Sequence, residues 1–162
     1  MTGAAPEVSV RQVTDPEEVE SLFPVLLLAE PSERALRWSL GHLSDAVYRA
    51  DVGDALAAAA TMRWRGDPCE IVELGVATAR HGHGVGRALV TWLCDEARRR
   101  GKRAIEVGTA NASIGNLAFY QKCGFRFDHV RHDYFRYHRT PVYDNGIEVR
   151  DLVVFRRDLA TS

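Results

Sequence analysis

The chain has 162 residues, of which 46% are hydrophobic and 27% charged, and its formal net charge is −1. That length suits one domain around one core, so residues 1–162 read as a single soluble domain. The near-neutral balance argues against a nucleic-acid partner, and the short apolar runs argue against a membrane-embedded chain.

In chain order, the opening MTGAAPEVSV lacks the basic and apolar regions of a signal peptide. Val8, Val10 and Val13, set among polar residues, predict a first strand. Asp15-Pro16-Glu17-Glu18 is a helix start, with Asp15 as N-cap and Pro16 in the first helical position. Leu22, Val25, Leu26 and Ala29 supply its apolar stripe. A second helix follows Pro31-Ser32-Glu33, with Leu36, Leu40 and Leu43 at helical spacing.

From Ala46, the turn signals Gly53-Asp54 and Gly66-Asp67-Pro68 divide an antiparallel meander into strands at 46–51, 55–65 and 69–77. Propensity alone would make the alanines at 57–60 helical. The bracketing turns and the alternation of Thr61-Met62-Arg63-Trp64 favour a strand. Val85, Ala88, Leu89, Trp92, Leu93 and Ala97 mark a strongly amphipathic helix, closed near Gly101 by Arg98, Arg99 and Arg100. A short strand at 104–107, a helix at 113–122 and two long strands, 125–137 and 148–156, complete the order, with a turn at Asn145-Gly146. The result is a mixed α/β sheet with helices on its faces.

Three cysteines, Cys69, Cys94 and Cys123, are too few and too widely spaced for a disulfide framework and fit a reducing, cytoplasmic compartment. Cys123, at the end of a helix, reads as a small core residue rather than a nucleophile.

The segment ATARHGHGVGRAL (77–89) sets Gly82, Gly84 and Gly86 at alternate positions just before the amphipathic helix. Arg87 stands where a dinucleotide fingerprint needs its last glycine, and no Gly-Lys-Ser/Thr closes a Walker loop. His81 and His83 have no acidic or cysteine partner nearby and read as polar loop residues, so no metal is expected. Two readings stay open on these residues alone. One is a loop that merely starts a helix; the other is a cradle in which backbone amides and a helix N-terminus hold a phosphate.

A second motif, GTANASIGNLAFYQKCGFR (108–126), decides between them. Val76, Gly84 and Gly86, then Asn111, Ala118, Tyr120, Gly124 and Phe125, in this order and separation, resemble the two motifs of the GCN5-related N-acetyltransferase (GNAT) superfamily. The resemblance is strongest over 70–126, and with the downstream HDYF and DNGIEVRDL it looks like a bacterial subgroup whose acceptors are undefined. It implies the GNAT fold, a mixed sheet of about six to seven strands flanked by about four helices.

The same resemblance implies acetyl-CoA as co-substrate and a small-molecule amine as acceptor. The amides of His81, Gly82, His83, Gly84, Val85, Gly86 and Arg87 would hold the pyrophosphate, and the backbone at Leu74–Val76 the pantetheine arm. The Val76 amide would polarise the thioester, with Asn111 and Asn116 at the arm or adenosine side. Tyr120 matches the general acid that protonates the departing thiolate. Glu70 matches the general base of the histone-acetylating members, and Glu73 is its rival. In a regular strand Glu70 and Glu73 point to opposite faces, unless a bulge shifts the alternation. One departure is His81, where the superfamily usually has Arg or Gln; Arg87 is the residue placed to supply the missing charge. The acceptor wall would carry Glu17, Glu18, Glu20, Glu30 and Glu33 with Trp38, Tyr134, Phe135 and Tyr137, a composition suited to a cationic amine. Superfamily members often pair, which suggests a homodimer. A non-catalytic acyl-CoA sensor, and a transferase acting on a protein N-terminus or lysine, are the competing functions.

Overall fold

The computed structural model describes residue 4 and residues 6–160. Residues 1–3 and 5 of the N-terminal stretch read for a signal peptide lie outside the described residues. The order is β1 (Val8–Val13), α1 (Pro16–Ser21), α2 (Phe23–Leu26), α3 (Glu33–His42), β2 (Ala46–Val52), β3 (Ala55–Arg63), β4 (Cys69–Val76), α4 (Val85–Arg99), β5 (Ala104–Ala110), α5 (Ile114–Lys122), β6 (Arg126–Arg131), β7 (Tyr143–Asp144), β8 (Ile147–Glu148) and β9 (Leu152–Asp158).

Seven strands form one sheet in the order β1-β2-β3-β4-β5-β9-β6, and β7 and β8 make a separate hairpin. Only the β4–β5 junction is parallel; the other neighbours run antiparallel. One core lies between the sheet and α4–α5, with Leu89, Val90, Leu93, Ile71 and Tyr120 in it. The other joins Leu22, Phe23, Val25, Leu26 and Leu36 of the N-terminal helices to the opposite face at Val13 and Ala59. The alanine run is central strand: Ala57, Ala58 and Ala60 belong to the first core and Ala59 to the second. Small side chains on both faces let helices close on the sheet from each side.

Local signals explain most boundaries. Asp15 caps α1 by accepting from the Glu18 amide at 3.0 Å, and Ser32 caps α3 by accepting from Ala35 at 3.2 Å. The expected first helix is two, because the chain breaks at Leu22; the described residues therefore form five α-helices rather than about four.

The C-terminal strands are shorter than their composition suggests. β6 ends at Arg131, opposite Leu152, the first residue of β9. Asp133 then takes a left-handed φ of 57°, and its amide donates to Asp151 Oδ1 at 2.8 Å. Tyr134, Phe135 and Tyr137 consequently lie on turns rather than in a strand. The expected strand 148–156 splits likewise into β8 and β9, with Asn145 and Gly146 at φ 53° and 73° closing the hairpin.

Candidate active site

β4 and β5 are paired only at Cys69, Glu70 and Ile71 against Ile105, Glu106 and Val107. Beyond those residues the two strands diverge, β4 running on to Val76 and β5 to Ala110. On its other side β4 stays bonded to β3, with Thr61 opposite Glu73 and Met62 opposite Ile71, so Val72 is an extra residue in the ladder. This bulge resets the alternation.

Its first consequence concerns the backbone. The Ala77 amide donates to Ala57 O at 2.8 Å, toward β3. Strand alternation then directs the N–H and C=O of Val76 and Leu74 away from β3, into the gap left by β5. The second concerns the carboxylates. Glu70 pairs in register with Arg63 and Glu73 with Thr61, two residues of β3 that share a face. Glu70 and Glu73 therefore lie on one face of the sheet, the face of α1–α3, where a regular strand would have set them on opposite faces.

The Glu73 side chain is 8% exposed. It accepts from Ser39 Oγ of α3 at 2.5 Å and from the Thr61 hydroxyl, whose oxygen in turn accepts the Glu73 amide at 3.0 Å. Burial pushes its pKa above the usual carboxylate value against those hydrogen bonds. Glu70 is half-buried and ion-paired with Arg63. Burial raises its pKa too, opposed by Arg63 and Arg131 and reinforced by Glu106.

The acidic residues expected on the acceptor wall divide sharply. Glu18 is held by Arg11 and Arg49, and Glu20 and Glu33 by Arg37. Glu17 is exposed on α1, and Trp38 is exposed and stacks on His42. Glu30 is different. It is half-buried, among the described residues accepts only the Ser32 amide at 3.2 Å, and its pKa is raised by burial. Its charge raises Glu73 and Tyr134, and burial, then Glu30, holds the Tyr137 hydroxyl up at about 12. Tyr134 is raised by burial and by Glu70.

On the opposite face, Tyr120 of α5 belongs to the α4–α5 core and is 5% exposed. Its ring packs against Phe119, Phe125 and Phe155 at centroid distances of 5.1, 5.8 and 5.9 Å. Its hydroxyl has no hydrogen-bond partner among the described residues. Nor is it sealed, because the one fully buried side-chain polar atom lacking a partner there is Ser44 Oγ. Burial, then the neighbouring Cys123, push its pKa above the ordinary phenol value, so it carries its proton at neutral pH. The Cys123 thiol is also raised by burial, the reverse of an activated nucleophile.

The glycine segment supplies the gap's outer end. After β4, Thr78–Arg80 make a short 3-10 turn and His81–Gly84 a loop. Gly82 and Gly84 have φ of 77° and 82°, a region that costs other residues strain. Gly86 sits where a Cβ would come within 3.1 Å of Val76 Cγ2 and 3.2 Å of Phe119 Cζ, so α4 starts tightly between β4 and α5. No side chain caps α4, and among the described residues the amides of Gly82, Gly84, Val85, Gly86 and Arg87 have no backbone acceptor. Uncapped amides at a helix N-terminus fit an anionic ligand. Arg87 is exposed and has no ion-pair partner among the described residues, while the side chain of His81 bonds Val76 O at 2.8 Å.

The two asparagines part company. Asn116, exposed in the first turn of α5, donates to Thr109 Oγ1 at 3.2 Å, and its oxygen has no partner among the described residues. Asn111 makes three side-chain bonds: its oxygen accepts the Arg150 and Asp151 amides and its nitrogen donates to Glu148 O. It fastens the end of β5 to the β8–β9 segment. Among the described residues no three His, Cys, Asp or Glu side chains gather as metal ligands, and no helix is long and apolar enough to cross a membrane.

Comparison with known proteins agrees with this architecture. The model of the acetyltransferase (GNAT) family matches residues 15–125. The uncharacterized N-acetyltransferase YvbK of Bacillus subtilis is 37% identical over 145 residues, covering 88% of this chain and 92% of YvbK. A Bacillus subtilis acetyltransferase crystallised in complex with CoA superposes with a TM-score of 0.84 at 33% identity, over 95% of this chain and 100% of that one. A GNAT family acetyltransferase from Elizabethkingia anophelis with acetyl-CoA bound gives 0.81 at 26% identity, over 94% and 98%.

Proposed function

The chain belongs to the GNAT acetyltransferase family, and from that premise we propose that it transfers the acetyl group of acetyl-CoA directly to a primary amine of a small, cationic molecule. The observation that carries this reading is the β4–β5 gap itself. Past Ile71 the edge of β4 is unpaired toward β5, and we assign Tyr120 to the α4–α5 side of it and Glu70 and Glu73 to the other.

Acetyl-CoA, when bound, supplies an activated acetyl group and departs as a thiolate whose free pKa is about 8.5. The amides of Gly82 and Gly84–Arg87 receive the pyrophosphate, with Arg87 adding a nearby charge. Leu74 and Val76 offer backbone groups to the arm. The Leu74 amide lies nearer the point of divergence than Val76 and takes the oxyanion-stabilising part. Asn116 offers its free oxygen at the gap's rim.

Direct transfer needs a proton removed from the amine and one given to the sulfur, and the two faces of the sheet divide that work. Glu70, half-buried and raised, accepts the amine's proton on the α1–α3 face. Glu73, with both oxygens bonded, holds Thr61 and Ser39 in place and adds negative charge. Tyr120 donates its proton on the α4–α5 face. Glu30, Tyr134 and Tyr137 line the approach to Glu70, where carboxylate and aromatic groups favour a cation.

A thiol-release assay over polyamines, aminoglycosides, amino acids and peptides tests the proposal. Release with a small cationic amine is expected. Release confined to peptide N-termini or lysines would move the acceptor to proteins. CoA binding with no release from any amine would make the chain a sensor.

A further inference from the structure

We infer that His81 is a positioning residue: its imidazole clasps the phosphate loop to the end of β4 and so sets the affinity for the CoA moiety. This rests on the reading of the gap as the CoA site.

The loop has little else to hold it in place. Its backbone bonds are local, Arg80 to Ala77 O at 2.8 Å, His81 to Thr78 O at 3.2 Å, His83 to Arg80 O at 3.4 Å and, at its end, Ala88 to Gly84 O at 3.0 Å. Two of its residues, Gly82 and Gly84, are left-handed glycines, which are the most freely varying backbone positions available. Among the described residues, the side-chain bond that reaches back from this loop to β4 is His81 Nε2 to Val76 O, at 2.8 Å. A carbonyl only accepts, so Nε2 carries the hydrogen; the bond survives whether Nδ1 is protonated or not.

Both ends of this clasp belong to the proposed site. One is the strand edge that offers backbone groups to the arm; the other is the loop whose amides face the pyrophosphate. Fixing their separation before binding removes an ordering cost that the ligand would otherwise meet. The clasp also occupies the Val76 carbonyl, which leaves the Leu74 carbonyl as the β4 acceptor in the gap.

The test is calorimetric titration of CoA into the wild type, His81→Ala and His81→Gln, with steady-state kinetics alongside. The removal of one hydrogen bond predicts about three- to tenfold weaker CoA binding in His81→Ala. The KM for acetyl-CoA should rise by the same factor while kcat holds. His81→Gln, which keeps a side-chain N–H, should restore most of the affinity. Wild-type affinity in His81→Ala would overturn the clasp. Tighter binding there would overturn it as well, by showing that the imidazole competes with the ligand for Val76 O. A His81→Gln variant as weak as His81→Ala would remove the hydrogen bond as the cause. A wild type that binds no CoA would overturn the site assignment itself, and the clasp with it.

Discussion

The two sides of the β4–β5 gap are built by opposite means. On the proposed donor side the binding groups would be backbone, at the uncapped start of α4 and the unpaired edge of β4. On the proposed acceptor side they would be side chains gathered from distant segments, Glu30 after α2, Glu70 on β4 and Tyr134 and Tyr137 after β6, with Glu73 bonded to Ser39 of α3 in support. A backbone site tolerates many side chains but few changes of φ or close packing. A side-chain site fails when one functional group is exchanged, although the fold stands. Variants on each side should therefore fail differently.

The largest effect is expected at Tyr120. Tyr120→Phe removes a hydroxyl with no hydrogen-bond partner among the described residues, so the thermal midpoint and CoA affinity should hold while kcat falls about a hundredfold or more. Steady-state kinetics with calorimetry checks this, and an unchanged kcat would exclude Tyr120 as the acid. Next is Glu70→Gln, expected to lower kcat/KM for the acceptor by about a hundredfold. A base must be deprotonated to act, and the Glu70 pKa is raised by burial. Wild-type activity should therefore climb with pH along a limb lying above the ordinary glutamate range. Glu70→Gln should lose that limb in a pH–rate profile.

On the donor side, Gly84→Val forces a side chain into φ 82°. Strain of about 1–3 kcal/mol there predicts CoA binding weaker by roughly ten- to a hundredfold, read by calorimetry, with the acceptor KM nearly unchanged. The smallest effect belongs to Glu30→Gln. The KM for a cationic acceptor should rise about three- to tenfold, and CoA affinity should stay put. A CoA defect in Glu30→Gln would break the division between the sides.

The two sides also differ in how well the sequence records them. The donor loop was legible because left-handed and crowded backbone positions demand glycine, so Gly82, Gly84 and Gly86 register geometry directly. The strands were legible from turn signals, even through the alanines at 57–60. The facing of Glu70 and Glu73 was not, because the bulge at Val72 carries no residue signature. Nor was the acceptor wall. Arg11, Arg37 and Arg49 neutralise three of its five expected acids through contacts that only the fold brings together, leaving the exposed Glu17 and the half-buried Glu30. Tyr134 and Tyr137 mimicked a strand until Asp133 turned the chain onto Asp151. The three hydrogen bonds of Asn111 were likewise invisible, since their partners lie on the β8–β9 segment.

The division of labour across the gap is tested most directly by titrating CoA into a Tyr120→Phe/Glu70→Gln double variant and assaying its turnover on the same preparation. The account predicts wild-type CoA affinity in a folded protein with almost no acetyl transfer. A double variant that loses CoA affinity along with turnover would contradict it, and so would one that keeps its turnover.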